Sequence, residues 1–264
     1  MKLDWSRGKV LIGVIHLLPL PGSPRFGGQW QPILDRAVAD AVACQKGGAD
    51  AVIIENFGDA PFLAGAVAPE TIASMARAGA AIRDAIRLPM GFNVLRNDAR
   101  AALGLAAACE GSFIRVNVHT GAMVTDQGLI EGRAGETLRV RAHLCPRTQI
   151  LADVHVKHAA PLGNETLQEA ARDAWQRGGA DALIVTGYGT GVPALAADVE
   201  AVRRSCPAAP VLVGSGFNTD NARHFLPWIH GAIVGTSLKK GGRLRNPVDP
   251  ARVKALARAM QGRS

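Results

Sequence analysis

Short apolar runs alternate with amphipathic, alanine-rich segments from one end of the chain to the other. Val, Ile and Leu cluster at 10–16, 51–57, 90–95, 113–118, 149–158, 182–187, 210–216 and 231–237, and these runs predict buried strands. Helical periodicity fills the intervals, near 31–47, 69–87, 98–109, 134–145, 164–178, 194–204, 219–227 and 249–261. Strict strand–helix alternation implies parallel strands joined by crossover helices. Eight such units predict a closed (β/α)8 TIM barrel, a single α/β domain over residues 1–264, close to the ~250 residues usual for that fold.

The connections sharpen this picture. Gly47-Gly48-Ala49-Asp50 recurs as Gly178-Gly179-Ala180-Asp181, each time where a helix stops and an apolar run begins. Glycine ends the helix and Asp opens the turn, so the repeat is structural and hints at half-barrel duplication. One connection is long: residues 119–134 after the fourth strand are predicted to form a lid over the barrel mouth.

Composition adds less. With 48% hydrophobic and 20% charged residues, the chain has an ordinary globular composition. The apolar stretch at 10–20 is interrupted by His16 and Pro19 and has no cleavage-type sequence after it, so it reads as a strand rather than a signal peptide. No run approaches the ~20 apolar residues of a membrane span. Cys44, Cys109, Cys145 and Cys206 are far apart and follow no metal or redox spacing, which fits thiols in a reducing cytoplasm. The net charge of +8 is carried by scattered basic residues without an aromatic stripe. That argues against nucleic acid and suits an anionic small molecule. A homo-oligomer is compatible with the sequence.

Polar residues gather where each apolar run ends, and in a TIM barrel the reacting groups stand at the C-terminal strand ends. His16, Glu55, Asn56, Asn93 and Thr186 occupy such ends. Arg115, Asn117 and His119 alternate on the fourth strand, and Asp153, His155 and Lys157 on the fifth, so each triplet is predicted to face inward. An inward triplet requires a ligand or an internal ion pair, for instance Asp153 with Arg115. The seventh and eighth strands end in Gly214-Ser215-Gly216 and Gly235-Thr236-Ser237. Small residues there let backbone N–H groups and hydroxyls approach a phosphate, with Lys239 or Lys240 adding charge.

These residues predict an enzyme for a phosphorylated sugar or nucleoside-like molecule, with lyase, isomerase and hydrolase chemistry all open. Glu55, Asp153, His155, Lys157 and His16 are the catalytic candidates, with Lys157 stabilising an oxyanion or forming a Schiff base. Asn56, Asn93, Arg115, Asn117, His119 and Thr186 are candidate substrate contacts. Asp126 and Gln127 are candidate lid contacts. His16, Glu55, Asp153 and His155 offer metal donors, but their spacing assigns no metal. FMN in the same cradle, and a non-catalytic assembly factor, are the alternatives.

Six segments carry a resemblance. They are 13–22 (GVIHLLPLPG), 55–62 (ENFGDAPF), 115–119 (RVNVH), 126–132 (DQGLIEG), 152–159 (ADVHVKHA) and 233–240 (IVGTSLKK). In this order the chain resembles the BtpA/SgcQ family over nearly its whole length. The resemblance implies a ribulose-phosphate-binding-type barrel. It implies no settled reaction: one family name comes from a photosystem I biogenesis factor, the other from a sugar-metabolism operon product.

Overall fold

Eight parallel strands close into a barrel in the computed structural model, which describes residues 2–6, 8–187, 189 and 191–262. They are β1 (Val10–His16), β2 (Ala51–Glu55), β3 (Met90–Asn93), β4 (Phe113–Val116), β5 (Gln149–Val154), β6 (Ala182–Val185), β7 (Val211–Val213) and β8 (Gly231–Val234). Each strand pairs with its sequence neighbour, and β8 closes on β1. The outer ring is α1 (Gln31–Gly47), α2 (Pro69–Ala85), α3 (Ala99–Ala108), α4 (Ala134–Leu144), α5 (Leu167–Arg172), α6 (Ala196–Ser205), α7 (Ala222–Phe225) and α8 (Pro250–Met260). After α5 the chain widens into a π-turn over Asp173–Arg177.

Two apolar layers result from the period-two pattern of the strands. Outward-facing residues such as Leu11, Val52, Ile54 and Val213 join the helices in the larger core. Inward-facing Ile12, Ile53, Phe113, Leu151, Ile184, Leu212 and Ile233 fill the barrel floor, which Leu3 helps to plug. The repeated Gly-Gly-Ala-Asp turn acts alike in both places. Asp50 accepts the Leu11 N–H at 2.8 Å, and Asp181 accepts the Ile150 N–H at 2.8 Å. In each case the Asp caps the first N–H groups of the preceding strand, while Gly48 and Gly179 take the left-handed backbone the turn needs.

The predicted lid is more ordered than a loop. Ala122–Thr125 and Gly128–Glu131 form a hairpin turning at Asp126-Gln127, and Ala159–Pro161 after β5 adds a third antiparallel strand. Met123 and Ile130 on its underside pack with Val118 and Val156, tying the lid to the ends of β4 and β5. Among the described residues no helix is long and apolar enough to cross a membrane.

Candidate functional site

The pattern that fills the barrel floor also builds the site. Side chains two residues apart on a strand share a face. The inward series Val10, Ile12, Val14 therefore continues to His16, Ile53 to Glu55, Phe113 to Arg115, and Leu151 to Asp153. Likewise Ile184 is followed by Thr186, Leu212 by Gly214, and Ile233 by Gly235. The register sets His16 beside Glu55, and Glu55 beside Asn93.

Arg115 organises the centre. Its Nε and one terminal nitrogen each donate to Asp153 at 2.9 Å, and its other terminal nitrogen donates to Glu55 Oε1 at 3.4 Å. Asn117 Nδ2 donates to Asp153 Oδ2 at 2.8 Å, and Asn93 Nδ2 donates to Glu55 Oε1 at 3.1 Å. Burial works against the Arg115 charge, but Asp153 and Glu55 outweigh it and hold its pKa above the usual value. Both Asp153 oxygens are thus occupied, and the internal ion pair anticipated for this residue is present. Glu55 Oε2 faces His16 Nε2 at 3.8 Å, beyond direct hydrogen-bond reach. Burial first, then the positive charges of Lys239 and Lys157, push the His16 pKa well below the ordinary histidine value, so its ring is neutral at physiological pH. Lys157 also has a lowered pKa, from burial and then from Arg115.

Two chambers meet at Glu55, Arg115 and Lys157. The first, about 280 Å³, runs from His16 to the ends of β7 and β8. The second, about 210 Å³, lies among Phe57, Phe62, Leu95, Arg96, Asn117 and the hairpin tip Asp126-Gln127. In the first chamber the backbone N–H groups of Gly216, Gly235, Thr236 and Ser237 donate to nothing among the described residues. Glycine at 235 makes room for His16: a Cβ would lie 2.6 Å from its Cε1, and the ring is braced by Phe57 in a tilted contact at 4.7 Å between centroids.

Several expected residues serve elsewhere. The alternation of β5 stops at Val154, because His155 has a left-handed backbone (φ 49). Its ring therefore lies in a cavity beside Leu167, Leu195 and Asp198, and lines neither chamber. His119 points away from the mouth and binds the Gly178 carbonyl at 2.8 Å. Asn56 accepts the Leu95 N–H at 2.7 Å and donates to Asp59 and to the Leu95 carbonyl, bracing its own loop. Thr186 Oγ1 accepts the Lys157 N–H at 3.0 Å, so it positions that lysine's backbone. The hydroxyls of Ser215 and Ser237 donate to the Val192 and Phe217 carbonyls, so among the described residues Thr236 has the one hydroxyl of the three without such a bond. Lys239 is fully buried against Asp40 at 2.7 Å, behind the cradle, and does not line it. The four metal-donor candidates are not brought together, since Arg115 bonds to both Glu55 and Asp153 and His155 points elsewhere.

Two arginines escaped the sequence reading. Arg252 on α8 donates through Nε to the Ser237 carbonyl at 2.7 Å and lines the first chamber. Arg96 is buried at the second chamber, holding the Lys157 carbonyl at 2.6 Å. Neither lies on a strand, so period-two reading had no means of placing them.

The family model described as "BtpA family" matches residues 7–262. The chain is 45% identical over 250 residues to the photosystem I biogenesis protein BtpA of Synechocystis sp., covering 95% of this chain and 87% of that one. It is also 45% identical to an uncharacterised protein of Pyrococcus abyssi, with 96% of each chain covered. Among solved structures, thiamine phosphate pyrophosphorylase from Pyrococcus furiosus superposes with a TM-score of 0.57 at 17% identity, over 96% of both chains. That likeness concerns the fold.

Proposed function

The chain belongs to the BtpA family, and from that premise we propose that it is a cytoplasmic enzyme that grips a phosphorylated sugar or nucleoside-like molecule by its phosphate and moves a proton at the adjoining carbon or oxygen. One observation carries the reading: a single chamber joins four backbone N–H groups, unengaged among the described residues, to the buried Glu55–Arg115 pair and the half-buried Lys157. Backbone donors and the Arg252 guanidinium suit a phosphate. Buried charges at strand ends, costly to maintain, suit chemistry rather than a binding body alone.

In this reading Glu55 Oε2 and neutral His16, 3.8 Å apart, share the proton transfer, with the reacting hydroxyl or carbon held beside the pair within reach of both. Lys157 faces the charge that develops on the substrate. Asp153 and Asn117 position Arg115, and Arg115 with Asn93 positions Glu55.

A thermal-shift screen across sugar phosphates tests the proposal, since a ligand at about 100 times its Kd stabilises a protein by ~2.7 kcal/mol. Ribose 5-phosphate or a related compound is expected to raise the melting temperature, while the dephosphorylated sugar does not. Arg252→Ala should weaken that ligand about ten-fold or more, the effect of losing one charge-assisted hydrogen bond, and Gly235→Ala should weaken it by setting a methyl group against His16 beside the cradle. If no phosphorylated compound stabilises the protein, the proposal fails and a non-catalytic assembly role takes its place.

A further inference from the structure

Asn117 and Gln127 each have a buried side-chain carbonyl oxygen without a partner among the described residues. Both residues line the second chamber. The orientation of each amide is set by its nitrogen, because Asn117 Nδ2 donates to Asp153 at 2.8 Å and Gln127 Nε2 donates to Asp126 at 2.5 Å. An ionised carboxylate only accepts, so these two oxygens are acceptors in search of donors. Buried polar atoms are rarely left unpaired, and two in one chamber mark where a ligand brings its own N–H groups.

Much of the remaining wall is apolar, with two phenyl rings tilted 58° to each other. Phe57 and Phe62 lie with ring centroids 6.4 Å apart, and Ala60 and Leu95 complete that surface. A polyol would satisfy the acceptors but leave the aromatic surface unmatched. A planar ring bearing amino groups meets both. The two chambers share Glu55, Arg115 and Lys157 in their walls, so the two ends of one molecule would meet at those residues.

We propose that the second chamber takes an amino-bearing planar heterocycle joined through its sugar to the phosphate held at β7 and β8. The ligand is then a nucleoside 5′-monophosphate or a close analogue, and its ring–sugar junction lies at Glu55, Arg115 and Lys157. This inference rests on the phosphate-binding reading above.

Isothermal titration of the intact protein with the 5′-monophosphates of adenosine, cytidine, guanosine and uridine, and with ribose 5-phosphate, tests it. At least one of the three amino-bearing nucleotides is expected to bind about ten-fold or more tighter than ribose 5-phosphate. Gln127→Leu, at the exposed hairpin turn, should remove most of that margin and leave ribose 5-phosphate affinity unchanged. If ribose 5-phosphate binds and no nucleotide binds tighter, the inference is overturned and the phosphate reading stands. A margin that survives Gln127→Leu overturns the assignment to this chamber. If neither ribose 5-phosphate nor any nucleotide binds, the inference falls, and the phosphate reading falls with it only if the wider sugar-phosphate screen is also negative.

Discussion

Replacing Arg115 by methionine is expected to lower the unfolding free energy by about 3–5 kcal/mol, the usual cost of removing one partner from a buried ion pair. Arg115 is 3% exposed and neutralises two carboxylates that are almost as deeply buried. Methionine fills similar space but takes from Asp153 and Glu55 the cation bonded to both, leaving only the more distant charges of Lys157 and Arg96. Asp153 keeps only the Asn117 amide, and Glu55 only the Asn93 amide. The double variant Arg115→Met, Asp153→Leu removes one of the stranded charges, so it should recover part of the loss despite changing two buried positions. Arg115→Lys should fall between the parent and the methionine variant, because one ammonium cannot bond both Asp153 oxygens and Glu55 in the geometry of a guanidinium fork. Urea unfolding midpoints at constant m-value measure all three. A single-variant loss below about 1 kcal/mol, the range of surface pairs, would show that Arg115 does not hold the centre together.

How far the sequence reaches into this site depends on whether a residue obeys a simple period. His16, Glu55, Asn93, Arg115 and Asp153 were legible because strand alternation carries the apolar floor straight up to them. The same rule misplaced His155 and His119, because it assumes that the strand continues. β5 stops at Val154 and β4 at Val116, where the chain turns to build the lid. Histidine at positive φ gives little local warning, since a glycine would be the expected residue there. The Gly-rich ends of β7 and β8 were legible as a close-approach backbone. Which hydroxyls face the chamber was not, because Ser215 and Ser237 bond to carbonyls of the neighbouring loops that only the folded chain supplies. Lys239 looked like a phosphate ligand from its place after β8, but Asp40 on α1 takes it, through a contact 199 residues away in sequence. Arg252 entered by the reverse route, from the last helix to the last strand's loop.

The hairpin predicted as a lid lies over one chamber and not the other. Its tip, Asp126-Gln127, closes the second chamber, whereas the first opens beside the cradle of β7 and β8. The lid's third strand follows directly from the segment that carries Lys157, and Val156 packs under it. The hairpin and the segment that presents Lys157 thus share one small sheet, so substitutions that loosen this sheet are expected to disturb the placement of the amine.

Glu55→Gln is expected to leave phosphate affinity within about two-fold of the parent and to lower turnover of the ligand found by screening by about 10²–10⁴-fold, the range for loss of a general acid–base group. The glutamine carbonyl can still accept from Asn93 and Arg115 at the Oε1 position, so the local frame survives. What disappears is Oε2, the one oxygen of the central carboxylates with no hydrogen bond among the described residues, 3.8 Å from His16. Asp153→Asn makes the contrasting case. Its carboxylate is spent on Arg115 and Asn117, so that change should act through a displaced Arg115 and lower stability along with turnover. The pH profile separates the remaining candidates. His16 is held neutral well below its ordinary value of ~6.5, so no limb of the profile should fall there. Lys157 should instead give an alkaline limb that begins below the ordinary lysine value of ~10.4 and is absent in Lys157→Met. Turnover above about a tenth of the parent's in Glu55→Gln would move the proton transfer to His16, because a loss smaller than ten-fold lies outside the range for a general base.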